Sequence, residues 1–285
     1  MLTDVPGVRV GHWTNADAKT GCTVVVLPEN TIASGEIRGG APATREFALL
    51  DPLRLVSTID AVVLSGGSAF GLAAGDGAVG WLEQQGRGFS TKAGPVPIVV
   101  GMSLYDLTTG DGTVRPTAAN GATAAAAATD GPHRVGLVGA GTGATVGKWG
   151  GPDTTTPGGL GTATIRSGDI VVSALIAVNA LGWIDDGTTT ADPGPRFAAA
   201  DSDFGNTTIG IVVTNVKLSK ADCHLAAQSG HDGFARALHP AHTSADGDAL
   251  VVAATGTVDQ EAADPAHVRV LVQHAVVSAI RSLGS

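Results

Sequence analysis

At Gly205-Asn-Thr-Thr208 a long polar stretch gives way to an apolar run, and the first residues of that run carry hydroxyls. Taken alone, Asn-Thr at a strand edge is a turn signal. The pair also permits a reaction. If the Thr207 hydroxyl attacks the Asn206 carbonyl, the acyl group moves from nitrogen to oxygen and leaves an ester that water can open. Thr207 is then a new N-terminus. Its α-amine, with an ordinary pKa of ~7.7–8.0, is partly unprotonated near neutrality and can act as base for its own hydroxyl.

Four other features carry groups such a reaction could use. Asp246-Gly-Asp248 reads as an acidic turn, as two carboxylates for a hard cation, or as a period-two pair on one face that orients an ammonium or hydroxyl. No further oxygen-ligand spacing supports the cation. Asn179 ends an apolar run, where an amide needs a partner if buried. It is either a satisfied strand-end residue or an oxyanion donor, a role worth ~2.7–4 kcal/mol of barrier. Tyr105, the only tyrosine, precedes Asp106 and reads from its surroundings as an aromatic core plug with a wet hydroxyl. Gly139-Ala-Gly-Thr-Gly-Ala-Thr-Val-Gly-Lys148 looks like a phosphate loop but fails both nucleotide templates. Only three residues separate Gly143 from Gly147, Trp149 stands where Ser or Thr is needed, and Val146 replaces the third small residue of the dinucleotide pattern. A close-packed turn, or a loop presenting Lys148 to a substrate, is left beside a weak phosphate site.

The elements that must position these residues alternate short apolar runs with glycine-rich turns. Cys22–Leu27, Ala61–Leu64, Pro97–Val100 and Ile170–Val178 are expected strands, and Phe70–Gln85 and Pro116–Thr129 expected helices. The second helix is nearly pure alanine after an opening proline, so it should pack closely on a neighbour. Asp185–Asn206 reads as an exposed connector. Beyond it follow a strand at Thr207–Thr214, a helix from the capping box Ser219–Asp222 to about Leu238, and a strand at Ala249–Thr255. A last helix opens at Asp264-Pro265, with Val268, Leu271, Val272, Ala275, Val276, Ala279 and Ile280 on one face. The fold class is α+β, in layers, with residues 1–285 as one domain.

Composition narrows the function. Glycine is 41 of 285 residues and charged residues are 15%, which disfavours helical bundles and coiled coils. A net charge of −9 without a Lys/Arg run argues against nucleic acid as partner. The two cysteines, Cys22 and Cys223, have no metal-ligand spacing and read as buried thiols of a reducing compartment. No membrane-spanning run or secretory signal is visible, so a cytoplasmic protein with no membrane partner is expected.

Six segments in this order cover nearly the whole chain: Gly7-Val-Arg-Val-Gly-His12, Arg38-Gly-Gly-Ala-Pro-Ala-Thr-Arg-Glu46, Ser65-Gly-Gly-Ser-Ala-Phe-Gly-Leu72, Gly139–Lys148, Gly205-Asn-Thr-Thr-Ile209 and His242-Thr-Ser-Ala-Asp-Gly-Asp248. Together they resemble the autoproteolytic L-aminopeptidase/D-esterase (β-aminopeptidase) family, nearest in motif pattern to its nylon-oligomer hydrolase branch. The resemblance implies a cut between Asn206 and Thr207, giving chains 1–206 and 207–285 with Thr207 as nucleophile. It assigns Asn179, Asp246, Asp248, Lys148 and Tyr105 to the active site. It also implies a four-layer α/β/β/α sandwich like the N-terminal nucleophile hydrolases with altered connectivity, and a homo-oligomer, often a tetramer. The implied activity is hydrolysis of small peptides or peptide-like amides without metal or organic cofactor. The alternatives are acyl transfer to an amine, as in ornithine acetyltransferases, and non-catalytic binding of a small ligand. The aminopeptidase branch commonly has Ser and Glu where this chain has Asp246 and Asp248, so β-peptide or D-ester preference does not carry over. Ala43 and Phe47 stand where Gly and Thr are expected, as packing variations.

Overall fold

Strands covered on both faces need apolar side chains at every position, and the longest apolar runs meet that demand. The computed structural model describes residues 1–188, 205–259 and 263–284. Its main strands are β1 (Arg9–Asn15), β2 (Thr20–Val26), β3 (Ile32–Ile37), β4 (Thr44–Arg45), β5 (Ala61–Ser65), β6 (Val99–Ser103), β7 (Gly159–Ser167), β8 (Ile170–Asn179), β9 (Thr207–Val216) and β10 (Ala249–Val258). The longer helices are α1 (Ala74–Gln84), α2 (Ala118–Ala126), α3 (Lys220–Ala237) and α4 (Pro265–Arg281). Every residue of β8 and β9 is buried.

One five-stranded sheet has the order β1-β2-β5-β6-β4, the other β7-β8-β9-β10-β3. In each, one pair is parallel, β5 with β6 and β9 with β10, and the rest are antiparallel. Alternate side chains sort into three apolar layers. Val25, Leu27, Val62 and Leu64 meet Ile209, Ile211 and Val213 between the sheets. Cys22, Val24 and Val26 face α1 and α2 through Ala74, Ala78 and Ala124. On the opposite side Val212, Leu250 and Val252 face α3 and α4 through Ala226, Phe234, Val272 and Val276. The architecture is the α/β/β/α sandwich, an α+β fold.

The alanine helix packs as its small side chains require. A Cβ on Gly77 of α1 would lie 1.8 Å from the Ala118 carbonyl oxygen, and one on Gly121 of α2 would lie 1.9 Å from that of Ala74. The two helices therefore touch backbone to backbone. Ser219 and Asp222 form the expected capping box of α3, and Asp264 caps α4 with Pro265 in its first turn. All seven apolar positions expected on α4 are buried.

Several boundaries differ from expectation. Phe70–Gln85 is two pieces, a turn at Ser68–Gly71 and then α1. Pro116 stays outside α2, because Thr117 is the N-cap and exchanges hydrogen bonds with Asn120. β6 begins at Val99, since the Asp60 carboxylate takes the Ile98 amide proton just before it. The connector Asp185–Asn206 lies mostly outside the described residues. Among the described residues no helix is long and apolar enough to cross a membrane.

Candidate active site

Topology brings the chemistry-bearing residues to one end of the second sheet. Antiparallel pairing of β8 with β9 sets Asn179, the last residue of one, opposite Thr207, the first of the other. β10 runs parallel to β9, so the residues before it lie at the same end, and Asp246 bridges to Asn206. Asn179, Asn206, Thr207, Asp246 and Asp248 are each no more than 5% exposed.

In the intact chain the Thr207 hydroxyl donates a hydrogen bond to the Asn206 carbonyl oxygen, the group it would have to attack. The same oxygen accepts the Gly247 amide proton at 2.9 Å. Two donors thus converge on one carbonyl, and one of them is the prospective nucleophile.

One residue upstream, the Gly205 carbonyl oxygen accepts from Lys148 Nζ at 3.0 Å and Asn179 Nδ2 at 3.1 Å. Lys148 Nζ also donates to the Asn179 carbonyl at 3.1 Å and to Asn179 Oδ1 at 3.0 Å. Asn179 Oδ1 accepts the Thr145 amide proton at 2.9 Å, and Asn179 Nδ2 donates to the Tyr105 carbonyl at 3.0 Å. Asn179 is therefore a fully used hinge of the site. Desolvation of the Lys148 ammonium lowers its pKa to about 7, against a smaller upward pull from Asp246. The loop before it is the close-packed turn that also presents this lysine. Its Gly139 and Ala140 amides bond to Thr14 and Thr23 hydroxyls at 2.8 and 3.1 Å, which leaves them unavailable to a phosphate.

The two aspartates fix backbone at different places, Asp248 beside Thr207 and Asp246 in the loops around it. Asp248 Oδ1 accepts from the Thr208 amide at 2.7 Å. Asp246 takes the Leu181 amide at 3.2 Å and the Thr243 amide and hydroxyl at 2.9 and 2.5 Å. Burial, then the neighbouring Asp248 charge, raises the Asp246 pKa. Among the described residues no cluster of His, Cys, Asp or Glu is suited to hold a metal ion.

His242 belongs to this site and was not singled out from the sequence, where it stands only as the first residue of a motif. Its Nδ1 lies 2.8 Å from Asp248 Oδ2 and its Nε2 lies 3.1 Å from the His231 carbonyl oxygen. Both ring nitrogens face acceptors, an arrangement that favours the protonated ring paired with Asp248. Burial opposes that charge, but the hydrogen bond and charge of Asp248 outweigh it and raise the pKa. Gly247 was likewise passed over, because a backbone amide has no sequence signature.

Tyr105 is not a core plug. It is only partly buried, lends its carbonyl to Asn179, and lines a small cavity of about 50 Å³ with Ala41, Ala43, Ser68, Ser103 and Ala245 around Gly205, Asn206 and Thr207. Cys22 and Cys223 lie elsewhere as free thiols, pushed up to about 12 by burial and hence inert.

The α/β/β/α layers, with a hydroxyl residue opening the central strand of the second sheet, are those of the Ntn hydrolase fold. Residues 1–282 match peptidase family S58. An uncharacterized aminopeptidase of Mycobacterium leprae is 40% identical, covering 92% of this chain and 80% of that protein. A 6-aminohexanoate-oligomer endohydrolase of Kocuria sp. is 31% identical, covering 90% and 75%. The solved L-aminopeptidase D-Ala-esterase/amidase of Ochrobactrum anthropi, described as a variant of the Ntn hydrolase fold, superposes with a TM-score of 0.74 at 20% identity, over 98% of this chain and 84% of that one. The chain belongs to peptidase family S58. It is a hydrolase, a peptidase or amidase.

Proposed function

We propose that the chain cuts itself between Asn206 and Thr207 and then hydrolyses small peptides or peptide-like amides with Thr207 as nucleophile. The observation that carries this is the pair of donors on the Asn206 carbonyl, Thr207 Oγ and the Gly247 amide. In self-cleavage Thr207 Oγ bonds to the Asn206 carbonyl carbon, the carbon–nitrogen bond breaks, and the hydroxyl proton ends on the departing Thr207 nitrogen. Water then opens the ester, leaving a carboxyl on Asn206 and a free amine and hydroxyl on Thr207. The Gly247 amide holds the oxyanion of the tetrahedral intermediate, where one such donor is worth ~2.7–4 kcal/mol.

Substrate hydrolysis repeats the acyl chemistry with the new amine as base. Thr207 Oγ takes the acyl group, the amine passes the proton to the leaving nitrogen, and water releases the acid. Asp248 and the Lys148–Asn179 pair fix the strand ends that carry these atoms, and Asp246 holds the loop bearing Gly247. The relatives' names are of two kinds, aminopeptidase and oligomer endohydrolase, and amide hydrolysis is the step they share. Assembly into a homo-oligomer and residence in a reducing cytoplasm complete the reading, the latter supported by two free buried thiols.

Thr207→Ala tests it. The variant is expected to stay one chain and to lack amidase activity, while the wild type gives fragments 1–206 and 207–285. Efficient cleavage of the variant would overturn the mechanism. Product analysis with an added amine separates hydrolysis from acyl transfer.

A further inference from the structure

Opening the ester takes a water molecule, and that water has to reach the Asn206 carbonyl carbon in a site where Asn206 and Thr207 are only 5% and 4% exposed. A cavity of about 50 Å³ lies beside both residues. A water needs ~10–15 Å³ of room and two to four polar partners, so the space admits one or a few. The polar atoms on its lining decide where such a water is held.

Two of those atoms are spare. Ser103 ends β6 and pairs with Ser65, the last residue of the parallel strand β5. Ser65 spends its hydroxyl on the Gly66 carbonyl at 2.9 Å. Ser103 bonds through its amide to the Ala43 carbonyl at 2.9 Å, yet its hydroxyl, on a residue 2% exposed, has no partner among the described residues. Asn206 Oδ1 is the other such atom, on the very residue whose carbonyl must be opened. Ala41, Ala43 and Ala245 line the same space and bring no polar side chain. Burying a hydroxyl with nothing to bond is costly, and a bridging water removes the cost.

We propose that Ser103 Oγ and Asn206 Oδ1 hold between them the water that opens the ester, which makes Ser103 a positioning residue for self-cleavage. This role rests on the self-cleavage reading and adds to it the group that places the attacking water of its second step. Asn206 Oδ1 can only accept, so it takes a hydrogen bond from the water, while the Ser103 hydroxyl fixes the same water from the other sheet. The water oxygen bonds to the Asn206 carbonyl carbon, and the bond from that carbon to Thr207 Oγ breaks. One water proton reaches Thr207 Oγ through the freed Thr207 amine, and the other leaves the new carboxyl for that amine.

The test lets freshly translated full-length chain process itself in neutral hydroxylamine and reads the C-terminus of fragment 1–206 by mass. Hydroxylamine attacks the same ester without help from the held water. It leaves a hydroxamate on Asn206 where water leaves a carboxyl. The ratio of the two reports the competition at the ester, whichever step limits the overall rate. Losing one hydrogen bond to the water is expected to raise that ratio in Ser103→Ala by about tenfold over wild type. Ala43→Gly opens the same cavity without removing a hydroxyl and is expected to keep the wild-type ratio. An unchanged ratio in Ser103→Ala, or an equal rise in Ala43→Gly, overturns the role of Ser103 and leaves self-cleavage standing. Cleavage that never yields a hydroxamate means that no ester forms, which overturns both the role and the reading beneath it.

Discussion

Gly247 donates its amide proton to the carbonyl oxygen of Asn206 at 2.9 Å, and a Cβ added to Gly247 would lie 2.7 Å from Thr207 Oγ. Glycine is needed at this position for room as well as for its amide, since the nucleophile and the oxyanion donor approach the same carbonyl from adjacent residues. Gly247→Ala should displace one or the other and slow self-cleavage by about a hundredfold or more, the usual loss when an oxyanion contact is spoiled. A time course on denaturing gels reads the rate, and the melting temperature shows whether the variant has folded. Processing at the wild-type rate would remove Gly247 from the mechanism.

His242 should be a positioning residue that acts through Asp248. Facing it are Asp248 and, behind that, Asp246, with Arg38 near enough to oppose its charge and the His231 and Phe234 rings at 4.9 and 5.9 Å. Its pKa is raised above 6.5, so the ion pair stabilises the fold fully below that pH and the contribution is lost as pH rises through the folded value. His242→Gln should therefore be less stable than wild type by about 2 kcal/mol in acid, with the gap narrowing toward alkaline pH. Paired melting curves across pH check this, and slower self-cleavage in the variant is expected alongside. A gap that does not change with pH would mean the ring is neutral.

Acid should unfold the protein through two other histidines. Burial lowers the pKa of His12, with His133 adding to the effect, and that of His231 in the same way, each to about 4. The unfolded chain binds protons near 6.5 that the folded chain refuses until about 4, so stability falls as pH drops through that window. Each contributes on the order of 3 kcal/mol if the shift is fully expressed. Melting temperature against pH should show a steep decline there, shallower in His12→Gln. No decline above pH 4 in the wild type would place both rings in contact with solvent.

The central strands were legible in the sequence and the outer ones were not, for one physical reason. β8, β9 and β10 are covered on both faces over the site end, so β-branched residues run together there. β1, β3 and β7 lie at sheet edges, where Gly, Thr, His and charged residues interrupt the run, and none was expected. The same logic divides the site. Asn179, Thr207 and the Asp246–Asp248 pair stand out as polar residues at the ends of apolar runs, and Lys148 as the cation closing a glycine loop. Gly247 contributes an amide that every residue type possesses. His242 acquires its role from a fold that carries Asp248 back to it, and Tyr105 contributes a carbonyl, which its aromatic identity does not announce.

The most direct measurement is N-terminal sequencing with intact mass on active, purified protein. A second chain beginning Thr-Thr-Ile-Gly is expected, with a larger fragment ending at Asn206. Full activity in a preparation that holds only the uncut 28.2 kDa chain would contradict a nucleophile released at Thr207.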